Sequence, residues 1–320
     1  MGLYIGIDGG GTHSTAAAVR PDGCVAALVS GGGMNYHHAG AETVRLRLAE
    51  MVRQLEKLTG ERAEKVCVGM SALDGPADAE TTAAFASGLP DGVRLDLQSD
   101  AYAALMGYTC GESGMIVICG TGSMLLLMDE AGRQHVGGGW GYLLEDAGSG
   151  YSLAREALLA VLREAEGIGP ATGLTAPAMD FLGTDTPRGI VDRVYAPDFT
   201  PDRLAAFAPQ VIELAEQGDG PAARIVRDNM ERLACQAVRL FDRAPAEHRV
   251  GLYGGILTRS ASAREAFEHA LRQRMPDVRT GFPEYPPEIG AVIHLMRAEG
   301  RLSPDVLENM KTTMKEAALS

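Results

Sequence analysis

The segment Asp8-Gly9-Gly10-Gly11-Thr12 sets a carboxylate, a run of glycines and a hydroxyl side by side. Glycines without Cβ atoms let a backbone turn tightly and come close to anionic oxygens, so successive N–H groups can converge on a phosphate. Thr12 adds a hydroxyl donor beside Gly10 and Gly11. Asp8 ends the apolar run Leu3–Asp8, where it suits a magnesium ion that keeps much of its own water. An ordinary glycine hairpin accounts for these residues equally well. The device recurs at Gly120-Thr121-Gly122-Ser123, directly after the apolar run Met115–Cys119. Two such turns in one chain weigh against the plain hairpin. Asp100 follows the apolar run Leu95–Leu97 and precedes a helical stretch. At the carboxyl end of a buried strand it could take a hydroxyl proton as a phosphoryl group arrives. Judged locally, a helix N-cap is the stronger reading of an aspartate in that place.

Three further segments carry weaker signals. Gly138-Gly139-Trp140-Gly141, with the chain's only tryptophan, is followed closely by Glu145-Asp146-Ala147-Gly148-Ser149-Gly150. An apolar plate with carboxylates nearby suits a sugar, whose hydroxyls need acceptors. A core tryptophan beside a helix capped by Ser149 is the alternative. Gly254-Gly255, after the strand Val250–Tyr253, could let an adenosine lie against bare backbone. Asn35 offers an amide that could recognise a substrate or hold a turn. His37 and His38 read as solvated loop residues without a role. Neither glycine cluster fits GxxxxGK[ST] or opens a helix, which excludes the Walker and Rossmann loops.

The elements that must position these groups repeat. Leu3–Asp8, Ser14–Arg20 and Cys24–Ser30 read as three antiparallel strands, with the glycine cluster as the first hairpin and Pro21-Asp22-Gly23 as the second. Met115–Cys119, Met124–Met128 and a strand running into Gly137-Gly138-Gly139 repeat the unit about 110 residues later. Between the units, helix Ala41–Thr59, strand Lys65–Met70, helix Ala77–Ser87, strand Val93–Leu97 and helix Ala101–Tyr108 alternate, the α/β signature. Helices are expected over Tyr151–Glu166, Pro187–Tyr195, Pro201–Gln217, Pro221–Phe241, Arg259–Arg274, Pro287–Glu299 and Pro304–Ala318. A domain junction is expected near Gly111–Gly114.

Bulk properties narrow the class. With 320 residues the chain has room for about two domains, and 46% hydrophobic residues supply their cores. The net charge of −13 leaves no basic stripe for nucleic acid. Cys24, Cys67, Cys110, Cys119 and Cys235 lie far apart and form no CxxC pair, which argues for reduced thiols. No basic-then-apolar leader opens the sequence, and no apolar run approaches the ~20 residues of a membrane span. A cytoplasmic protein without membrane partners is expected.

Taken in order, Ile5–Thr15, Met34-Asn35, Ser99-Asp100-Ala101, Gly120–Ser123, Gly138–Gly150 and Leu252–Leu257 resemble the actin and sugar-kinase superfold. Within it they resemble the BadF/BadG/BcrA/BcrD-type ATPases and N-acetylglucosamine kinases. The resemblance implies an α/β fold of duplicated ribonuclease H-like (actin-like ATPase) domains, 1–112 and 113–320, with ATP in an interdomain cleft. It implies that Asp8 handles Mg2+ and that Gly10, Gly11, Thr12, Gly120, Thr121 and Gly122 hold phosphates. Gly254 and Gly255 would meet adenosine, and Asp100 matches the catalytic base. Asn35 and Asp146 match sugar-contacting positions, with Gly139 and Trp140 beside them. The activity implied is ATP-dependent phosphorylation of an amino sugar, N-acetylglucosamine or glucosamine, by a protein expected as a homodimer. Two departures stand out: Glu145-Asp146-Ala147-Gly148-Ser149 replaces the usual Gly-Asp-Glu-Gly-Ser, and Met124 follows the second turn where a polar residue is common. A conformational activator ATPase with an iron–sulfur cluster is the competing class, and a catalytically weakened nucleotide-binding regulator is a third.

Overall fold

Apolar runs that end in glycine become strands, and amphipathic runs between them become helices. The computed structural model describes residues 2–317, so Ala318, the expected last residue of the C-terminal helix, lies outside the described residues. The first sheet contains β1 (Leu3–Gly9), β2 (His13–Val19), β3 (Val25–Gly32), β4 (Ala63–Met70) and β5 (Arg94–Ser99) in the order β3-β2-β1-β4-β5. β1–β2 and β2–β3 are antiparallel, whereas β4 runs parallel to β1 and β5 parallel to β4. The second sheet contains β6 (Gly114–Cys119), β7 (Ser123–Met128), β8 (Gln134–Gly138), β9 (Arg249–Tyr253) and β10 (Arg279–Gly281) in the order β10-β9-β6-β7-β8. Counted from its own first strand, each sheet has three consecutive strands side by side and its fourth and fifth beyond the first. The repeat read from the glycine turns is thus a repeat of sheet topology.

The chain divides into two compact units, 1–116 with 130–134 and 283–320, and 117–129 with 135–282. The sequence half 113–320 is therefore not one unit: its last segment packs with the N-terminal sheet. Glycines explain how. Helix Pro287–Ala298 lies directly on β1 and on helix Asp100–Thr109. A Cβ on Gly6 would fall 1.9 Å from the Glu288 carbonyl oxygen, one on Gly107 2.3 Å from that of Tyr285, and one on Gly290 2.0 Å from that of Ala103. Side chains then lock the approach. His294 Nε2 donates to Asp96 Oδ2 (2.7 Å), and the Tyr102 hydroxyl lies 3.2 Å from His294 Nδ1. Buried Lys65 pairs with Glu299 just past the helix end. Helix Pro304–Ala317 continues along β3, where Val25 N–H donates to Thr313 Oγ1 (2.9 Å).

Other elements differ from expectation for local reasons. Pro201–Gln217 is two helices, Pro201–Ala205 and Ala208–Glu216, because Pro209 has no N–H to continue the first and suits the first turn of the second. The helix expected over Arg259–Arg274 starts at Ala261, capped by Ser260, and Arg259 instead ends a separate short helix, Gly255–Arg259. No helix among the described residues is long and apolar enough to cross a membrane.

Gly290→Ala should lower the stability of the first unit by about 3 kcal/mol, the upper range of overpacking. Gly75→Ala, with open space around it, should change stability by less than about 0.5 kcal/mol. Urea midpoints of the two variants test this, and equal midpoints would mean that the helix backs away freely.

Candidate functional site

In the first unit the glycine cluster is the tip of the β1–β2 hairpin, beyond the Gly9–Ser14 pair. Gly10 O accepts from Met34 N–H (2.9 Å), and a Cβ on Gly33 would sit 2.1 Å from Gly11 O, so the tip rests on the loop that carries Asn35. The N–H groups of Gly11 and Thr12 donate to no protein acceptor among the described residues. They remain available to an anion. Asn35 caps the short helix Tyr36–Ala39, its Oδ1 accepting from His37 N–H (3.1 Å), and the amide NH2 has no protein acceptor among the described residues.

Asp8 stands one residue before the end of β1, in register with Gly69 of β4. β4 is paired in turn with β5, and Asp100 follows β5 directly as the first residue of helix Asp100–Thr109. The cap of that helix is Ser99, whose Oγ accepts from Tyr102 N–H (3.1 Å). The capping role that competes for Asp100 in the sequence thus falls to its neighbour. Asp100 Oδ1 accepts from Ala101 N–H (2.7 Å). Burial pushes the Asp100 carboxyl above its ordinary range, with Asp74 adding to the rise and the Ala101 N–H opposing it. Burial, and then the charge of Asp100, push Asp8 up to about 6. Glu288, at the start of helix Pro287–Ala298, is pushed to about 7 by burial and by Asp8. Nothing in the sequence marks Glu288, because its proximity to Asp8 comes from the return of the C-terminal segment.

No group of three or more His, Cys, Asp or Glu residues among the described ones could hold a metal ion as a cage. Asp8 instead offers one half-buried carboxylate, and the charge acting on it, that of Asp100, is of the same sign. That donor set fits a magnesium ion that retains most of its water.

In the second unit the turn Gly120–Ser123 is stitched to the loop that follows β8. Gly150 and Tyr151 N–H donate to the Gly120 and Thr121 carbonyls (2.7 and 3.1 Å). Ser123 Oγ donates to Ala147 O (2.8 Å), and the buried Cys119 thiol donates to Gly148 O (2.9 Å). Asn229, fully buried, anchors the loop from helix Gly220–Arg243: its Oδ1 accepts from Gly148 N–H (3.1 Å) and Ser152 Oγ (2.7 Å). A polar residue on the buried stripe Ile225, Val226, Met230, Leu233 was the signal that could have found it.

Asp146 lies against the turn, so close that a Cβ on Gly122 would be 3.1 Å from its Oδ2. Burial raises its carboxyl, a Ser123 N–H bond lowers it, and Glu145 raises it again. Glu145 folds back on the loop, Oε1 accepting from Ala147 N–H (2.8 Å) and Gln236 Nε2 (2.6 Å). The displaced glutamate thus braces the segment that carries Asp146. Gly139 takes a positive φ of 71° behind β7, against Met124, whereas Trp140 is 72% exposed and is no core tryptophan.

A 920 Å3 pocket opens beside this turn, lined by Gly120, Thr121, Gly150 and Gly255 together with Pro209, Ile212, Ile256 and Arg259 and the acids Asp202, Glu213 and Glu216. Gly255 has open space where a side chain would stand. Gly254 sits behind it with φ +87°, where a Cβ would meet Cys119 O at 2.4 Å. Only glycine fits there. The pocket has the size and the mixture of backbone, apolar wall and charge of a cofactor-sized site.

The model of the BadF/BadG/BcrA/BcrD ATPase family matches residues 5–294, spanning both units. The chain belongs to the BadF/BadG/BcrA/BcrD ATPase family. It is 30% identical over 230 residues to the N-acetyl-D-glucosamine kinase of Dictyostelium discoideum, covering 68% of this chain and 72% of that protein. It is 26% identical over 299 residues to the N-acetylmuramic acid/N-acetylglucosamine kinase of Clostridium acetobutylicum, covering 92% of this chain and 98% of that one. Among solved structures, a Chromobacterium violaceum protein assigned as an N-acetylglucosamine kinase superposes with a TM-score of 0.72 at 26% identity, over 92% of this chain and 99% of that one.

The raised carboxyls of Asp8 and Glu288 hold protons in the folded chain that the unfolded chain, at ordinary values of 3.8 and 4.5, has lost. Their contribution to stability therefore falls as pH rises from about 4 to about 7. Asp8→Asn should raise the melting temperature by roughly 2–4 °C at pH 8 and hardly at all at pH 4.5. A gain that is the same at both pH values would mean that Asp8 is solvated.

Proposed function

We propose that this family member is an ATP-dependent kinase that phosphorylates a hydroxyl of an amino sugar, with N-acetylglucosamine or glucosamine as the acceptor. The observation that carries this reading is Asp100: a half-buried carboxylate with raised proton affinity, at the end of β5, relieved of capping by Ser99 and electrostatically coupled to Asp8. A base of raised proton affinity matches the task of taking a proton from an alcohol. The kinase names of the relatives point the same way.

In this reading the ATP phosphates meet the N–H groups of Gly10, Gly11 and Thr12 and the turn Gly120-Thr121-Gly122, and adenosine occupies the 920 Å3 pocket against Gly254-Gly255. Asp8 would hold magnesium through water, and the bound ion offsets charge on the transferred phosphoryl group. Asp100 orients the acceptor hydroxyl and receives its proton as the oxygen attacks the γ-phosphorus and the bond from that phosphorus to the bridging oxygen breaks, releasing ADP. Asp146 and the free amide of Asn35 bind other hydroxyls or the 2-substituent, with Gly139 and Trp140 beside them. Positioning and electrostatics supply the acceleration, because little covalent chemistry falls to the protein.

Asp100→Asn should reduce turnover by about 10²–10⁴-fold while ATP affinity stays close to wild type. An ADP-release assay across N-acetylglucosamine, glucosamine, N-acetylmuramic acid, N-acetylmannosamine and glucose measures both activity and acceptor. Turnover within a few-fold of wild type would remove Asp100 from the role of base, and ADP release independent of any sugar would favour the activator ATPase.

A further inference from the structure

Helices Gly150–Ala165 and Gly220–Arg243 pack together in the second unit and leave a 490 Å3 groove outside the nucleotide pocket. Its positive charge is out of keeping with a chain of net −13. Arg155 and Arg163 face it from the first helix, two turns apart, and Arg224 and Arg232 from the second. Two carboxylates also border it, but both are taken: Glu156 pairs with Arg232, and Asp228 with Arg227 (2.9 Å). Arg155, Arg163 and Arg224 have no carboxylate partner among the described residues, although the acidic surface elsewhere pairs Arg20, Arg45, Arg94, Arg272 and Arg274. Between the arginines the wall is apolar, formed by Leu159, Ala160 and Ile225. Pro221 and Arg224 stand toward the N-terminal end of the 24-residue helix, whose N-cap is Asp219.

We infer that this groove binds a small-molecule phosphomonoester, its phosphate held by Arg155, Arg163 and Arg224 and its organic part on Leu159, Ala160 and Ile225. Guanidinium groups grip phosphate oxygens with paired N–H donors, which suits a dianion better than a singly charged carboxylate. The volume takes one metabolite-sized molecule, and the apolar wall distinguishes an organic phosphate from the free ion.

Calorimetric titration with phenyl phosphate and with orthophosphate, in saturating ADP and magnesium so that the phosphate turns are filled, tests the inference. Phenyl phosphate should bind with Kd below about 1 mM and more tightly than orthophosphate. In R163A/R224A its affinity should fall about tenfold or more, with the melting temperature unchanged because both side chains are exposed. Gly122→Ala, which perturbs the turn beside Asp146, should leave phenyl phosphate binding as in wild type. Absence of binding to the wild-type protein, equal affinity in R163A/R224A, or a loss confined to Gly122→Ala would each overturn it.

Discussion

Three stretches of backbone meet without side chains between them, and the chemistry of the first unit depends on that contact. Because Gly6, Gly107 and Gly290 carry no Cβ, helix Pro287–Ala298 settles against β1 and helix Asp100–Thr109 at distances that only bare backbone allows. The approach excludes water from the carboxyl end of β1 and brings Glu288 toward Asp8. Desolvation then becomes the largest influence on Asp8, Asp100 and Glu288 alike. A group of uncompensated carboxylates is costly to fold, and a strained electrostatic site of that kind persists where function uses it.

Much of this was legible in the sequence. Glycine turns after apolar runs are local signals, so both three-strand units and the residues at their tips could be read directly. What escaped reading was set by partners distant in the chain. Gly6 sits inside a strand and Gly290 inside a helix, where local rules treat glycine as a mild defect; their purpose exists only once the last segment folds back. Glu288 was missed for the same reason. Asp100 was ambiguous because Ser99 and Asp100 are both good caps, and adjacent candidates are separated only by seeing which side chain reaches the N–H three residues on. Trp140 reads equally as core or as ligand plate until its exposure is known.

The second unit solves a different problem. A glycine-rich turn is flexible, yet a phosphate site works best when its donors need no reordering. Gly120–Ser123 is held by Gly150, Tyr151, Ser123 and Cys119, and the loop opposite is fixed by buried Asn229. Here the departure at Glu145-Asp146-Ala147 acquires a physical sense. The acid moved to the preceding position makes two hydrogen bonds that brace the loop on Gln236, while Asp146 keeps its place against Gly122. The change therefore acts on how firmly Asp146 is held more than on whether it is present.

Charge raises the remaining question, since a chain of net −13 repels a polyanionic nucleotide at long range. Long-range attraction is not what the glycine turns supply. Their N–H groups act within hydrogen-bond distance, where orientation matters more than net charge, and a cation held at Asp8, as proposed, would reverse the local sign. Ion pairs with carboxylates engage arginines such as Arg20, Arg45, Arg94, Arg272 and Arg274, which weakens their pull on a nucleotide. Arg259 lines the 920 Å3 pocket together with Asp202, Glu213 and Glu216, so the charge there is mixed. Under the proposed function, recognition of a nucleotide rests on geometry: a phosphate at the turn Gly120-Thr121 and a flat apolar body beside Pro209, Ile212 and Ile256 would use the pocket's backbone and its apolar lining together.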